Sequence, residues 1–225
     1  MGQFTNLTAA NGFTFPAYVA QPTGQPKGGL VVLQEIFGVN HHIRHVCDTF
    51  AAHGYVAISP AFFDHFEHGV ELEYDADGVK RGKDLVERLG MERALEDIKA
   101  AAAVVQEAGK VGVVGYCWGG SVAFLANTRL SMPAVSYYGG RTVPLLKERP
   151  KAPLMLHFGE DDPLIPPEDV AKHREALGDA AEFHVWPGAG HGFNCDQRAD
   201  YDEASSTLAL ERTLSFFRRT LRPVY

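Results

Sequence analysis

Gly115-Tyr116-Cys117-Trp118-Gly119-Gly120 is the stretch on which the reading of this chain turns. It follows the apolar run Val111-Gly112-Val113-Val114 and precedes Ser121-Val122-Ala123-Phe124-Leu125-Ala126-Asn127, which reads as helix. A strand, a tight turn and a helix, with glycines two residues either side of a central nucleophile, make a Gly-x-nucleophile-x-Gly elbow. Cysteine stands where serine is usual. Side chains at the flanking positions would collide with neighbouring backbone in so sharp a turn. The turn lifts the sulfur to a helix N-terminus, where the helix dipole and N–H groups favour thiolate. The competing reading is a structural cysteine in a Gly-rich turn.

Outward from the elbow, strands and helices alternate. Tyr18-Val19-Ala20 reads as a short strand. Residues 28–35 form a near-continuous apolar run ending in polar Gln34-Glu35, as expected for a buried parallel strand opening on a site. Residues 41–53 have helical spacing, 55–60 read as strand, and 61–80 read as a long aperiodic loop. A long helix is expected over 83–107, then the elbow strand and helix. Strands at 134–138, 153–159 and 182–186, with helices at 168–177 and 201–221, complete the pattern. Such alternation predicts an α/β fold with a mostly parallel central sheet and helices on both faces. No linker or repeat divides the chain, so residues 1–225 are expected to form a single domain.

Bulk properties narrow the function. A hydrophobic content of 45% with 22% charged residues is that of a globular chain with material for a large core. The net charge is −7 and no basic block occurs, which makes nucleic acid and anionic membranes poor partners. No apolar run approaches the ~20 residues of a membrane span, and the N-terminus lacks a signal-peptide pattern. Cys47, Cys117 and Cys195 are odd in number and widely spaced, which argues against a disulfide framework and for a cytoplasmic location. No cofactor is implied. His41 and His45 could share a helix face as metal ligands, but no third ligand has matching spacing, so no metal is expected.

A thiol nucleophile needs a base, and the base an orienting acid. In the α/β-hydrolase fold these follow the nucleophile in the order acid, then histidine. The carboxylates Glu160, Asp161 and Asp162 follow the strand ending at Phe158, and His191 stands among small residues after the last strand. Asp161 and Asp162 could also cap the helix beyond Pro166-Pro167. The same fold assigns the oxyanion hole to the backbone N–H groups of Ile36 and Trp118.

The chain resembles the dienelactone hydrolase family, or carboxymethylenebutenolidases. The resemblance rests on Gln34-Glu35-Ile36-Phe37-Gly38-Val39-Asn40, the elbow, Tyr137-Tyr138-Gly139, Gly159 to Pro166, and Ala189-Gly190-His191-Gly192-Phe193. It implies an α/β-hydrolase fold and cysteine-dependent hydrolysis of small esters or lactones through an acyl-enzyme. It selects Asp162 as the orienting acid, through the Asp-x-x-x-Pro spacing to Pro166. It also implies that Glu35 holds the resting Cys117 thiol neutral and takes its proton once substrate binds. A quiet thiol would be spared stray oxidation.

The pocket departs from the family pattern, which has two arginines for a substrate carboxylate. The position four past His191 is Cys195. Arg198 and Arg81 are the candidates in their place, with Phe37 as a further substrate-binding candidate; both arginines could equally be surface residues. Cys195 is expected to be open to oxidation near the pocket, and Cys47 to lie in the core. The alternative functions are a general carboxylesterase or thioesterase, and a non-catalytic thiol sensor on a hydrolase scaffold.

Overall fold

A computed structural model of the chain describes residues 1–221. These fall into two compact units, residues 1–113 with Leu221, and residues 114–220. Eight strands and five α-helices occur among the described residues.

The first unit holds β1 (Gln3–Thr8), β2 (Thr14–Ala20), β3 (Gly29–Leu33) and β4 (Val56–Pro60), in the order β1-β2-β4-β3. β1 and β2 pair antiparallel with Gln3 opposite Val19, and β2 and β4 antiparallel with Ala17 opposite Pro60. β3 and β4 are parallel, with Val31 opposite Ile58. Every residue of β3 and β4 is buried, which explains their unbroken apolar reading. β1 was not foreseen. It is a polar outer strand on which only Leu7 is buried, so neither an apolar run nor an alternation marks it.

Helix α1 (His41–Ala52) starts where the Asn40 side chain accepts from the Ile43 N–H. It buries Ile43, Val46, Cys47 and Phe50 on one face. The long helix α2 (Ala76–Val105) begins seven residues before its expected start, capped by Asp75 on the Gly78 N–H at 2.7 Å. It is two helices joined at Gly90, where φ is 73°. The expected loop at 61–80 is therefore shorter, and carries a 3₁₀ turn at Phe62–His65.

β5 (Val111–Tyr116) runs through the boundary, its last half in the second unit. There it is followed in order by β6 (Ala134–Tyr137), β7 (Leu154–Gly159) and β8 (Glu182–Trp186). β6, β7 and β8 are parallel, with Ala134 opposite Leu154 and Met155 opposite Glu182. The second unit's helices are α3 (Trp118–Leu130), α4 (Pro167–Leu177) and α5 (Glu203–Thr220). α3 is buried on every side from Trp118 to Thr128, as its apolar sequence demands. The C-terminal ends of β5 and β7 and the loop after β8 carry Cys117, Asp162 and His191.

Candidate active site

Cys117 sits between β5 and α3 with φ 57° and ψ −119°, a backbone conformation that a side chain adopts only under strain. Gly115 makes the turn possible. A methyl group there would fall 1.9 Å from the Gly119 carbonyl oxygen. The Cys117 N–H is taken up by the Tyr137 carbonyl at 2.9 Å, which ties the elbow to β6. The Cys117 carbonyl receives the Gly120 and Ser121 N–H groups, so helix α3 begins on the nucleophile itself. Trp118 is the first residue of that helix and is buried. Its N–H therefore belongs to a helix N-terminus directly after the sulfur-bearing residue.

The loop after β7 turns at Asp162, whose Oδ1 accepts the Leu164 N–H at 2.8 Å. His191 Nδ1 lies 2.8 Å from Asp162 Oδ2, and His191 Nε2 lies 3.1 Å from Cys117 Sγ. The carboxylate can only accept, so Nδ1 carries the proton and Nε2 faces the sulfur. Asp162 and His191 are buried, while Asp161 is exposed and its N–H bonds to the Ala189 carbonyl. Burial works against a charge on His191. The Cys117 sulfur and the Asp162 carboxylate outweigh it and hold the ring's pKa up to about 10. The Cys117 sulfur shares its hydrogen bond with His191.

Tyr138, part of a segment that carries the resemblance, was assigned no part in the site. It has φ 40°, positive like that of Cys117 and Ser131, and its N–H bonds to the His157 carbonyl at 2.8 Å. Its ring stands edge-on to His191 at 5.2 Å and to Phe193 at 5.2 Å. The signal was its position: a strand-end aromatic before Gly139, at the same strand ends as the nucleophile.

Arg198 folds back within its loop. A methyl group on Gly192 would fall 2.7 Å from Arg198 Nη1, so the guanidinium lies over the backbone next to His191. Cys195 is fully buried, which overturns the expectation of a residue open to oxidation. Its N–H caps the turn onto the Gly192 carbonyl at 2.9 Å.

In the first unit, Glu35, Ile36 and Phe37 form the segment after β3, and all three are buried. Phe37 packs edge-on against Tyr74 at 4.7 Å. Arg81 is exposed on α2 and ion-paired with Glu67. Cys47 is in the core, as expected. On α1 the exposed histidines are His41 and His45, while His42 is buried. Among the described residues, no helix is long and apolar enough to cross a membrane.

The sequence matches the dienelactone hydrolase family over residues 15–221. The carboxymethylenebutenolidase of Pseudomonas putida is 32% identical over 221 residues, covering 94% of each chain. A Klebsiella pneumoniae crystal structure, provisionally assigned as a dienelactone hydrolase, superposes with a TM-score of 0.83 at 30% identity. That match covers 96% of this chain and 98% of the other. A dienelactone hydrolase-like promiscuous phosphotriesterase from metagenomic libraries shares the fold, with a TM-score of 0.76 at 19% identity over 97% of this chain and 98% of that one. The expected α/β-hydrolase fold is thus the fold found.

Proposed function

The chain belongs to the dienelactone hydrolase family and is a hydrolase acting on carboxylic ester bonds, and on that premise we propose that it works through Cys117 as nucleophile and an acyl-enzyme. The observation that carries this reading is the unbroken line Cys117 Sγ, His191 Nε2, His191 Nδ1, Asp162 Oδ2, with spacings of 3.1 and 2.8 Å. His191 takes the thiol proton, and Asp162 stabilises the resulting imidazolium. The thiolate adds to the carbonyl of a small ester or lactone. The oxyanion is met by the Trp118 N–H, with the Ile36 N–H as its proposed partner. Collapse of the intermediate expels the alkoxide, which His191 protonates. In a lactone this opens the ring. Water, deprotonated by His191, then releases the acyl group from sulfur.

Glu35 is proposed to take part as a second proton acceptor for the thiol. Its burial at the end of a hydrophobic strand favours such a role over that of a solvated strand-end residue. Phe37, Arg81 and Arg198 are the proposed substrate contacts. Arg198 has the stronger support of the two cations, because its guanidinium lies beside the residue that follows His191. The two units are proposed to act as one domain, since the family match runs through both. Three free cysteines and a thiol-dependent site suit the cytoplasm.

The test is turnover of p-nitrophenyl acetate by the wild type and by Cys117→Ala. A loss on the order of 10³-fold or more is expected for the variant. Mass spectrometry of the quenched wild-type reaction should find one acetyl group on the peptide containing Cys117. Full turnover by Cys117→Ala would remove the nucleophile assignment. No turnover by the wild type on any short ester would favour a thiol sensor.

A further inference from the structure

The first unit contains a cleft of about 370 Å³ lined by none of the residues assigned above to catalysis or substrate contact. That is within the usual range for small-molecule sites. Its walls come from β1, from the segment flanking Glu35–Phe37, and from the loop between β4 and α2. Val39, Phe63 and Val70 give it an apolar, buried lining.

Thr5, Asn6 and His68 also line the cleft, but its charged side chains and its one unmatched buried group are acceptors. Gln34 lines the cleft and is fully buried. Its Nε2 donates to the Glu35 carbonyl at 3.0 Å, which fixes the orientation of the amide. The opposite atom, Oε1, is buried and has no hydrogen-bond partner among the described residues. A buried acceptor left unmatched is unfavourable, so a site built around one suits an occupant that donates. The carboxylates of Asp64, buried, and Glu71, exposed, also line it. Asp64 accepts from the Gly69 N–H at 3.2 Å and is bonded to His68 Nδ1 at 2.7 Å, and Glu71 is paired with Arg44. Two carboxylates against one guanidinium give this group of side chains a net negative charge.

We propose that this cleft is a binding site for a small aliphatic ammonium ion, with its hydrocarbon body against Val39, Phe63 and Val70 and its N–H groups directed to Gln34 Oε1 and the Asp64 carboxylate. An ammonium offers donors and no acceptor, which is the complement of Gln34 Oε1 and the Asp64 carboxylate. The site lies beside the Glu35–Ile36–Phe37 segment, since Gln34 and Gly38 bracket it in the chain and both line the cleft.

The experiment is a titration of the full chain, followed by backbone amide NMR at pH 8. Three probes of one shape are compared: cyclohexylammonium, cyclohexanol and cyclohexanecarboxylate. Cyclohexylammonium is expected to shift the Val39 and Gly69 signals saturably and most tightly, cyclohexanol more weakly, and the carboxylate not at all. Asp64→Asn keeps an oxygen for Gly69 but loses the charge. It should weaken cyclohexylammonium by about tenfold and leave cyclohexanol unchanged. Thr5→Trp, on the exposed outer strand that lines the cleft, should abolish binding of both while leaving p-nitrophenyl acetate turnover intact. Equal binding of the ammonium and carboxylate probes, or shifts unaffected by both variants, would overturn the assignment.

Discussion

His191 Nδ1 is held by Asp162 Oδ2 at 2.8 Å, while Asp161, one residue earlier, is exposed. Adjacent carboxylates thus have different chemistry, because only one is turned inward. Asp162→Asn should therefore lower kcat on p-nitrophenyl acetate by roughly 10²–10⁴-fold, since an amide can present N–H to Nδ1 and trap the wrong tautomer. Asp161→Asn should leave kcat within about twofold, as expected of an exposed side chain outside the bonded line. Equal losses in the two variants would contradict the assignment.

The pKa of His191 is raised to about 10, so the imidazolium persists well above the ordinary histidine range. An imidazolium 3.1 Å from the sulfur favours the negative charge that Cys117 carries when it attacks an electrophile. His191→Gln should therefore slow alkylation of Cys117 by iodoacetamide at pH 8 by about tenfold or more, and an unchanged rate would contradict the pairing. The readout is the second-order rate constant, with the modified residue confirmed by peptide mapping.

The Gly115 position leaves no room for a side chain, because a methyl would meet the Gly119 carbonyl at 1.9 Å. Gly115→Ala must open the elbow or unfold it. A loss of about 2–4 kcal/mol is expected, a thermal midpoint lower by roughly 5–15 °C. Calorimetry checks this. An unchanged midpoint would mean that the turn has more freedom than this contact allows.

Within the first unit, His65 Nε2 lies 2.8 Å from Asp97 Oδ2, with the His65 ring stacked on Phe13 at 4.1 Å. Burial raises the Asp97 carboxyl to about 7 and lowers His65. A carboxyl raised in the fold contributes stability that is fully present below its unfolded value near 4 and is lost as pH climbs through about 7. A lowered histidine acts oppositely: stability rises with pH up to its unfolded value near 6.5. The two slopes oppose each other in the wild type. In Asp97→Asn only the histidine slope remains, so stability should rise more steeply from pH 5 to 7 than in the wild type. Urea midpoints across that range decide it.

Arg198 lies over Gly192, and Arg81 is paired with Glu67 on an exposed helix face. Arg198→Ala should lower kcat/KM for a carboxylate-bearing lactone by about 10-fold or more relative to a neutral one, the loss of one charge-assisted contact. Arg81→Ala should lower that ratio by a smaller factor, since its guanidinium is shared with Glu67, and an unchanged ratio would remove Arg81 as a substrate contact. If only Arg81→Ala alters the ratio, Arg81 is the substrate clamp instead.

The amino-acid sequence by itself determined the elbow and the order of its partners. Glycine spacing, a β-to-α switch and a helix N-terminus all act within about ten residues, so they can be read where they stand. The buried strands β3 and β7 announced themselves for the same reason, as unbroken apolar runs. Elements whose character comes from a neighbour distant in the chain were not legible. β1 is polar on its own and becomes a strand by pairing with β2. Which of two adjacent aspartates serves His191 was suggested by family spacing, but was decided by the loop that buries Asp162 and exposes Asp161. Cys195 looked open and is buried, and Arg198, readable equally as a substrate contact or a surface residue, lies against Gly192. The bare Gln34 oxygen in an apolar cleft belongs to the same class. Burial and hydrogen-bond partnership depend on residues tens of positions apart, and only the folded chain brings those residues to one place.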